Sequence, residues 1–166
     1  MVKELCNKLT VLLTDMLQVY TNILALGRRK KDALVAGKVN DLEVITKEEE
    51  QLILQAGKLE KAREGITQDI LAKSGLQTDK LTLTEIKELA GSDIAEQLSH
   101  LGDELKAALQ KIKETNELNT KLIQRAMAYV DYNINILTQH STGPVYAAQG
   151  QAGKSVQSRM LVDQKA

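Results

Sequence analysis

A stretch of about 45 residues, Asp93 to Leu137, contains no proline and no glycine other than Gly102. Within it Ile94, Leu98, Leu101, Leu105, Ala108 and Ile112 recur at spacings of three and four, and the pattern resumes at Leu122, Ala126 and Val130. Apolar side chains at that period fall on one narrow stripe, so the stretch predicts a single long helix. At the standard rise it would run for about 65 Å. Such a rod offers surface to other helices rather than a pocket. The expectation is therefore helix-to-helix recognition, with no catalysis.

Composition agrees. The 166 residues suffice for one domain and a tail, and 22 basic residues balance 22 acidic ones, which argues against nucleic acid as a partner. There is no Phe or Trp, and the only aromatic side chains are Tyr20, Tyr129, Tyr132 and Tyr146. A thin bundle can fill its seam with Leu, Ile, Val and Ala, whereas an enzyme core normally draws on large rings. The single cysteine, Cys6, forms no intrachain disulfide and is expected to be a buried or half-buried thiol. Lys3 and Glu4 precede any apolar run, no secretory leader is legible, and no stretch is expected to insert in a membrane. The expected location is the cytoplasm.

The fold class expected is all-α: an elongated, coiled-coil-like antiparallel bundle of three long helices, one short connecting helix and a flexible C-terminal tail. The bundle occupies residues 1–138, with helices at about 2–36, 41–74, 83–90 and 93–138, and the tail 139–166. Leu5, Leu9, Leu12, Leu13, Met16, Tyr20, Ile23, Leu24 and Leu34 line the first helix, which Gly27 weakens and Gly37 ends. Asn40 with Glu43, flanked by Val39 and Val44, reads as a capping box and staple that would start the second helix at Asp41. Leu42, Ile45, Glu49, Leu52, Ala56, Leu59, Arg63, Ile66 and Ile70 then form a clean heptad seam ending near Gly75. Folding this hairpin sets the basic run Arg28–Lys31 beside the acidic run Glu48–Glu50. Thr82 with Glu85, and Asp93 with Glu96, cap the two remaining helices.

The last helix is longer than its two partners and should project beyond the hairpin. Its end carries Tyr129, Val130, Tyr132, Ile134, Ile136 and Leu137, which either dock a partner or pack on the Gly37 turn. Thr115, Asn116 and Asn119 interrupt the apolar seam and read as a polar layer that sets register, or as a solvated gap. After Thr138 the chain is rich in Gly, Ser, Gln and Ala, with Pro144 and an apolar group, Val156, Met160 and Leu161, suited to folding on a partner.

No phosphate-binding glycine loop is present, and neither His100 nor His140 has the Glu three residues earlier that a dimetal bundle needs, so no metal or cofactor is expected.

The segment NELNTKLIQRAMAYVDYNINILT, Asn116 to Thr138, resembles the final helix of the FlgN-type flagellar export chaperones. LALGRRKKDALVAG and DLEVITKEEEQLI around Gly37, and the tail with Tyr146 and the closing RMLVDQKA, are similar to that family too. The resemblance implies a cytosolic chaperone that binds helical terminal segments of hook-associated proteins, prevents their early assembly and delivers them to the flagellar type III export apparatus. On that reading Tyr129, Val130, Ile134 and Leu137, extended by Val156, Met160 and Leu161, contact the client, and Tyr146 contacts the export machinery. A self-associating scaffold coiled coil, a homo-oligomer through the Leu42–Ile70 heptads, is the alternative.

Overall fold

The structure, a computed structural model, describes residues 2–76, 78 and 81–141, apart from the side chains of His140 and Ser141. Four helices follow in order: α1 Val2–Ala36, α2 Val39–Ser74, α3 Leu83–Ala90 and α4 Ser92–Ser141. No strand occurs among the described residues, so the class is all-α as expected. The chain divides into two units, Met1–Met127 and Ala128–Ala166, the boundary falling within α4.

The joint between α1 and α2 is tighter than the sequence suggests. Gly37 takes φ +66°, and the Gly37 and Lys38 amides donate to the Leu34 and Ala33 carbonyls at 3.3 and 3.0 Å. This is a Schellman closure, which needs a residue free to be left-handed at Gly37. Lys38 completes it and is at once the residue preceding α2, with its carbonyl accepting from the Leu42 amide at 3.2 Å. The expected Asn40 cap is therefore corrected: α2 begins at Val39 with no side-chain cap, and Asn40 already lies in its first turn.

Two pairings give the direction of this hairpin. Arg29 donates to Glu48 and Lys30 to Glu49, each at 2.6 Å, while further along α1 the charge of Glu60 reaches Tyr20. From the ion pairs back to Tyr20 the α1 numbers fall from about 30 to 20 while their α2 partners rise from about 49 to 60, so the two helices run antiparallel. The expected charge match is present. Of its two pairs, Lys30–Glu49 is the better shielded from solvent.

Burial follows the seams. On α2, Ile45 and Ile70 are buried, and the other seven seam positions from Leu42 to Ile66 are half-buried. Cys6 is buried as expected, and α1 is otherwise buried more broadly than expected, because Val19, Leu26, Gly27 and Ala33 join Leu5, Leu9, Leu13 and Met16. Eleven buried residues from all four helices form one cluster: Leu5, Cys6, Leu9, Leu13, Met16, Ile70, Ile86, Ala90, Ile94, Leu98 and Leu105. A smaller cluster, Leu26, Ala33 and Ile45, lies toward the hairpin turn.

α3 begins as the sequence predicts. The Thr82 hydroxyl accepts from the Glu85 amide at 3.3 Å, and the Glu85 carboxylate accepts from the Thr82 amide at 2.7 Å, a complete capping box. α4 starts one residue before the expected Asp93 and continues through Ser141, three residues past the expected end.

Two further expectations change. The α4 seam is buried or half-buried from Ile94 to Leu122, but Ala126 and Val130, expected to continue it, are exposed. Neither hydrophobic cluster includes an α4 residue past Leu105, and burial follows what covers a helix rather than periodicity alone. The other concerns membranes. By length and composition α1 is apolar enough to cross one, contrary to the reading of the sequence. The same leucines that make it so, Leu5, Leu9 and Leu13, are those buried against α2, α3 and α4.

Candidate functional site

The described part of the second unit, residues 128–141, is a helix with one carboxylate, Asp131, and no lysine or arginine. Val130, Ile134 and Leu137 stand at i, i+4 and i+7, which places them on one stripe. They are 53%, 52% and 70% exposed. Tyr129 is exposed on the flank of that stripe, Tyr132 is exposed on the opposite side of the helix, and Ile136, between the two tyrosines around the helix, is half-buried. Ile123 and Met127 precede the stripe in sequence at the same spacing and are exposed as well, a continuation missed because the sequence reading followed Leu122 and Ala126 instead.

Local polar groups turn inward on the backbone. The Asn133 amide donates to the Tyr129 carbonyl at 2.8 Å, and the Thr138 hydroxyl to the Ile134 and Asn135 carbonyls at 3.0 Å. Along the stripe itself, Val130, Ile134 and Leu137 present only aliphatic side chains to a partner, while the exposed carboxylate Asp131 and amide Asn135 stand off it. Such a face can bury apolar surface against another amphipathic helix at little electrostatic cost.

Thr115, Asn116 and Asn119 separate. Asn119 is buried, and its Nδ2 donates to the Gly27 carbonyl of α1 at 2.8 Å, while its Oδ1 has no protein partner. Thr115 is half-buried over Gly27, where an added Cβ would meet its methyl at 3.0 Å. Gly27 thus serves a close helix approach within an unbroken α1, rather than weakening that helix. Asn116 is exposed.

The sequence reading missed a small polar cluster on α1 and α2. Arg63 Nε donates to Glu60 at 2.9 Å, holding that carboxyl below its ordinary range, and the nearby Tyr20 phenol is pushed up by burial and then by the Glu60 charge. Arg63 stands out in sequence as a charge in a heptad seam, which was the available signal. His100 is exposed and lies 3.0 Å from Glu104, one turn on. Tyr146, Val156, Met160 and Leu161 lie outside the described residues.

A model of the FlgN family, described as FlgN protein, matches residues 1–154. The chain belongs to the FlgN family. This is a family of flagellar export chaperones, not of enzymes. The FlgN match takes in the whole α4 helix and Tyr146 and ends before Val156, Met160 and Leu161. The chain is also similar to the uncharacterised protein YvyG of Bacillus subtilis (strain 168), with 28% identity over 149 residues, which cover 89% of this chain and 91% of that one. No solved structure matches it.

Proposed function

We propose that this FlgN-family protein is a cytoplasmic export chaperone that binds helical terminal segments of flagellar hook-associated proteins and delivers them to the flagellar type III export apparatus. The uncovered, nearly uncharged stripe Val130, Ile134 and Leu137 carries the reading, with Tyr129 beside it. Export subunits of this kind bring amphipathic helices that would otherwise self-associate, and an apolar helix face covers them without nucleotide.

Within residues 1–127 the scaffold is three long helices, with α4 parallel to α1 and antiparallel to α2; of the tail expected from residue 139, residues 139–141 belong to α4 and the rest lies outside the described residues. Gly27 and Asn119 are 92 residues apart in sequence, and Leu13 and Leu105, which line one groove, have the same separation, as parallel helices require. Asn119 fixes that register. Val156, Met160 and Leu161 extend the client surface, and Tyr146 contacts the export machinery. The scaffold alternative, a homo-oligomer through the α2 heptads, is disfavoured because those positions are at least half covered within one chain.

The test is the pair Val130→Asp and Ile134→Asp, titrated against a terminal helix of a purified hook-associated protein. Both positions are about half exposed, so the unfolding free energy stays within the range of a surface change, about 0.5 kcal/mol. Affinity should fall by about tenfold or more, as for loss of a central apolar anchor. Unchanged affinity with an intact fold overturns the proposal.

A further inference from the structure

A groove of about 480 Å³ lies between α1, α3 and α4. Leu13 and Leu105, both in the large buried cluster, line it together with Leu83 and Leu109, which are 38% and 48% exposed. Gly102 leaves it room: an added Cβ would stand 2.8 Å from Leu83 Cδ2. Lys106 and Lys113 also line the groove, and no carboxylate does.

Those two lysines are seven residues apart on α4, two turns or about 10 Å along one face. Among the described residues neither forms an ion pair, unlike Arg29 and Lys30, which meet Glu48 and Glu49. Two uncommitted cations over a leucine floor complement a segment that brings apolar side chains and carboxylates together. An open groove bordered by three helices seats a single helix along its leucine floor, the mode in which one amphipathic helix lies on another.

We infer that this groove docks an acidic amphipathic helix of a protein partner, its apolar side chains seated on Leu13, Leu83, Leu105 and Leu109 and its carboxylates meeting Lys106 and Lys113. The inference is separate from the client reading, which rests on residues 129–137, and each can fail alone.

The test uses the full chain and a fluorescent synthetic amphipathic helix with leucines at spacings of three and four and glutamates seven residues apart. A second peptide carries lysines in place of the glutamates, and phosphatidylglycerol vesicles serve as the lipid probe. The acidic peptide should bind by fluorescence anisotropy and lose about tenfold in affinity against K106E/K113E and against Leu109→Asp, all exposed positions, with helix content unchanged. K106E/K113E should in turn prefer the lysine peptide. Equal binding of both peptides to the parent chain, no loss in K106E/K113E, or capture of the vesicles without the peptide would each overturn it.

Discussion

Gly27 and Gly102 both sit inside helices, where alanine ordinarily gains up to about 1 kcal/mol. Their surroundings separate them. A Cβ at Gly27 meets the Thr115 methyl at 3.0 Å in a buried crossing, so Gly27→Ala should be destabilising by about 1 kcal/mol net, the crowding outweighing the propensity gain. Adding Thr115→Ser, which removes that methyl, should restore the loss in a double-mutant cycle read by chemical denaturation. At Gly102 the obstacle is the tip of a half-exposed leucine that can swing aside, so Gly102→Ala should stabilise by about 0.5 kcal/mol or more. The sequence marks Asn119 as an amide in an apolar seam, but the Gly27 carbonyl that receives it, 92 residues away, has no signature in the chain. Asn116, three residues earlier and equally suggestive, is exposed. Which of two neighbouring amides turns inward depends on the phase of the crossing helix, and periodicity leaves that phase open.

Among the elements, α3 is the shortest at 8 residues and depends most on its cap. The Thr82 backbone amide and then its hydroxyl donate to Glu85, holding that carboxyl below its ordinary range. A folded value below the unfolded one means the contribution is complete above the ordinary carboxylate range and is lost as the pH falls through the depressed folded value. Amide exchange in α3 should therefore accelerate selectively in acid. Glu85→Gln should abolish that pH dependence while keeping an acceptor, and Thr82→Ala should open α3 at all pH values. Uniform protection of α3 across the acid range would refute this. The cap was legible because Thr82 and Glu85 have no competing neighbour, and the α2 seam was legible because its spacing of three and four is kept throughout, even across the charged Glu49 and Arg63. The start of α2 was not. The Asn40 pattern is sound chemistry for a cap, but the Schellman closure at Gly37 consumes Lys38 and leaves no room for a separate lead-in. On α4 the period carries on past Leu122 although burial stops, since spacing records which face is apolar and not whether anything covers it. The stripe at Val130, Ile134 and Leu137 was found in the sequence, whereas its exposure required the structure.

For the molecule as a whole, the two clusters are unequal. Eleven buried residues from four helices hold one region together, and three hold the hairpin end. Local opening is easiest where few apolar groups are buried. Hydrogen exchange should accordingly be faster around Leu26, Ala33 and Ile45 than around Leu9, Ile70 and Leu98. The opposite order would indicate that the ion pairs Arg29–Glu48 and Lys30–Glu49 outweigh apolar burial there. Cys6 belongs to the larger cluster, fully covered, its thiol pushed up by that burial. A sulfur so placed reacts with iodoacetamide only while the surrounding helices are parted. Since the chain has no other cysteine, its labelling rate becomes an intrinsic stopwatch for how often this core comes open, with no engineered reporter required.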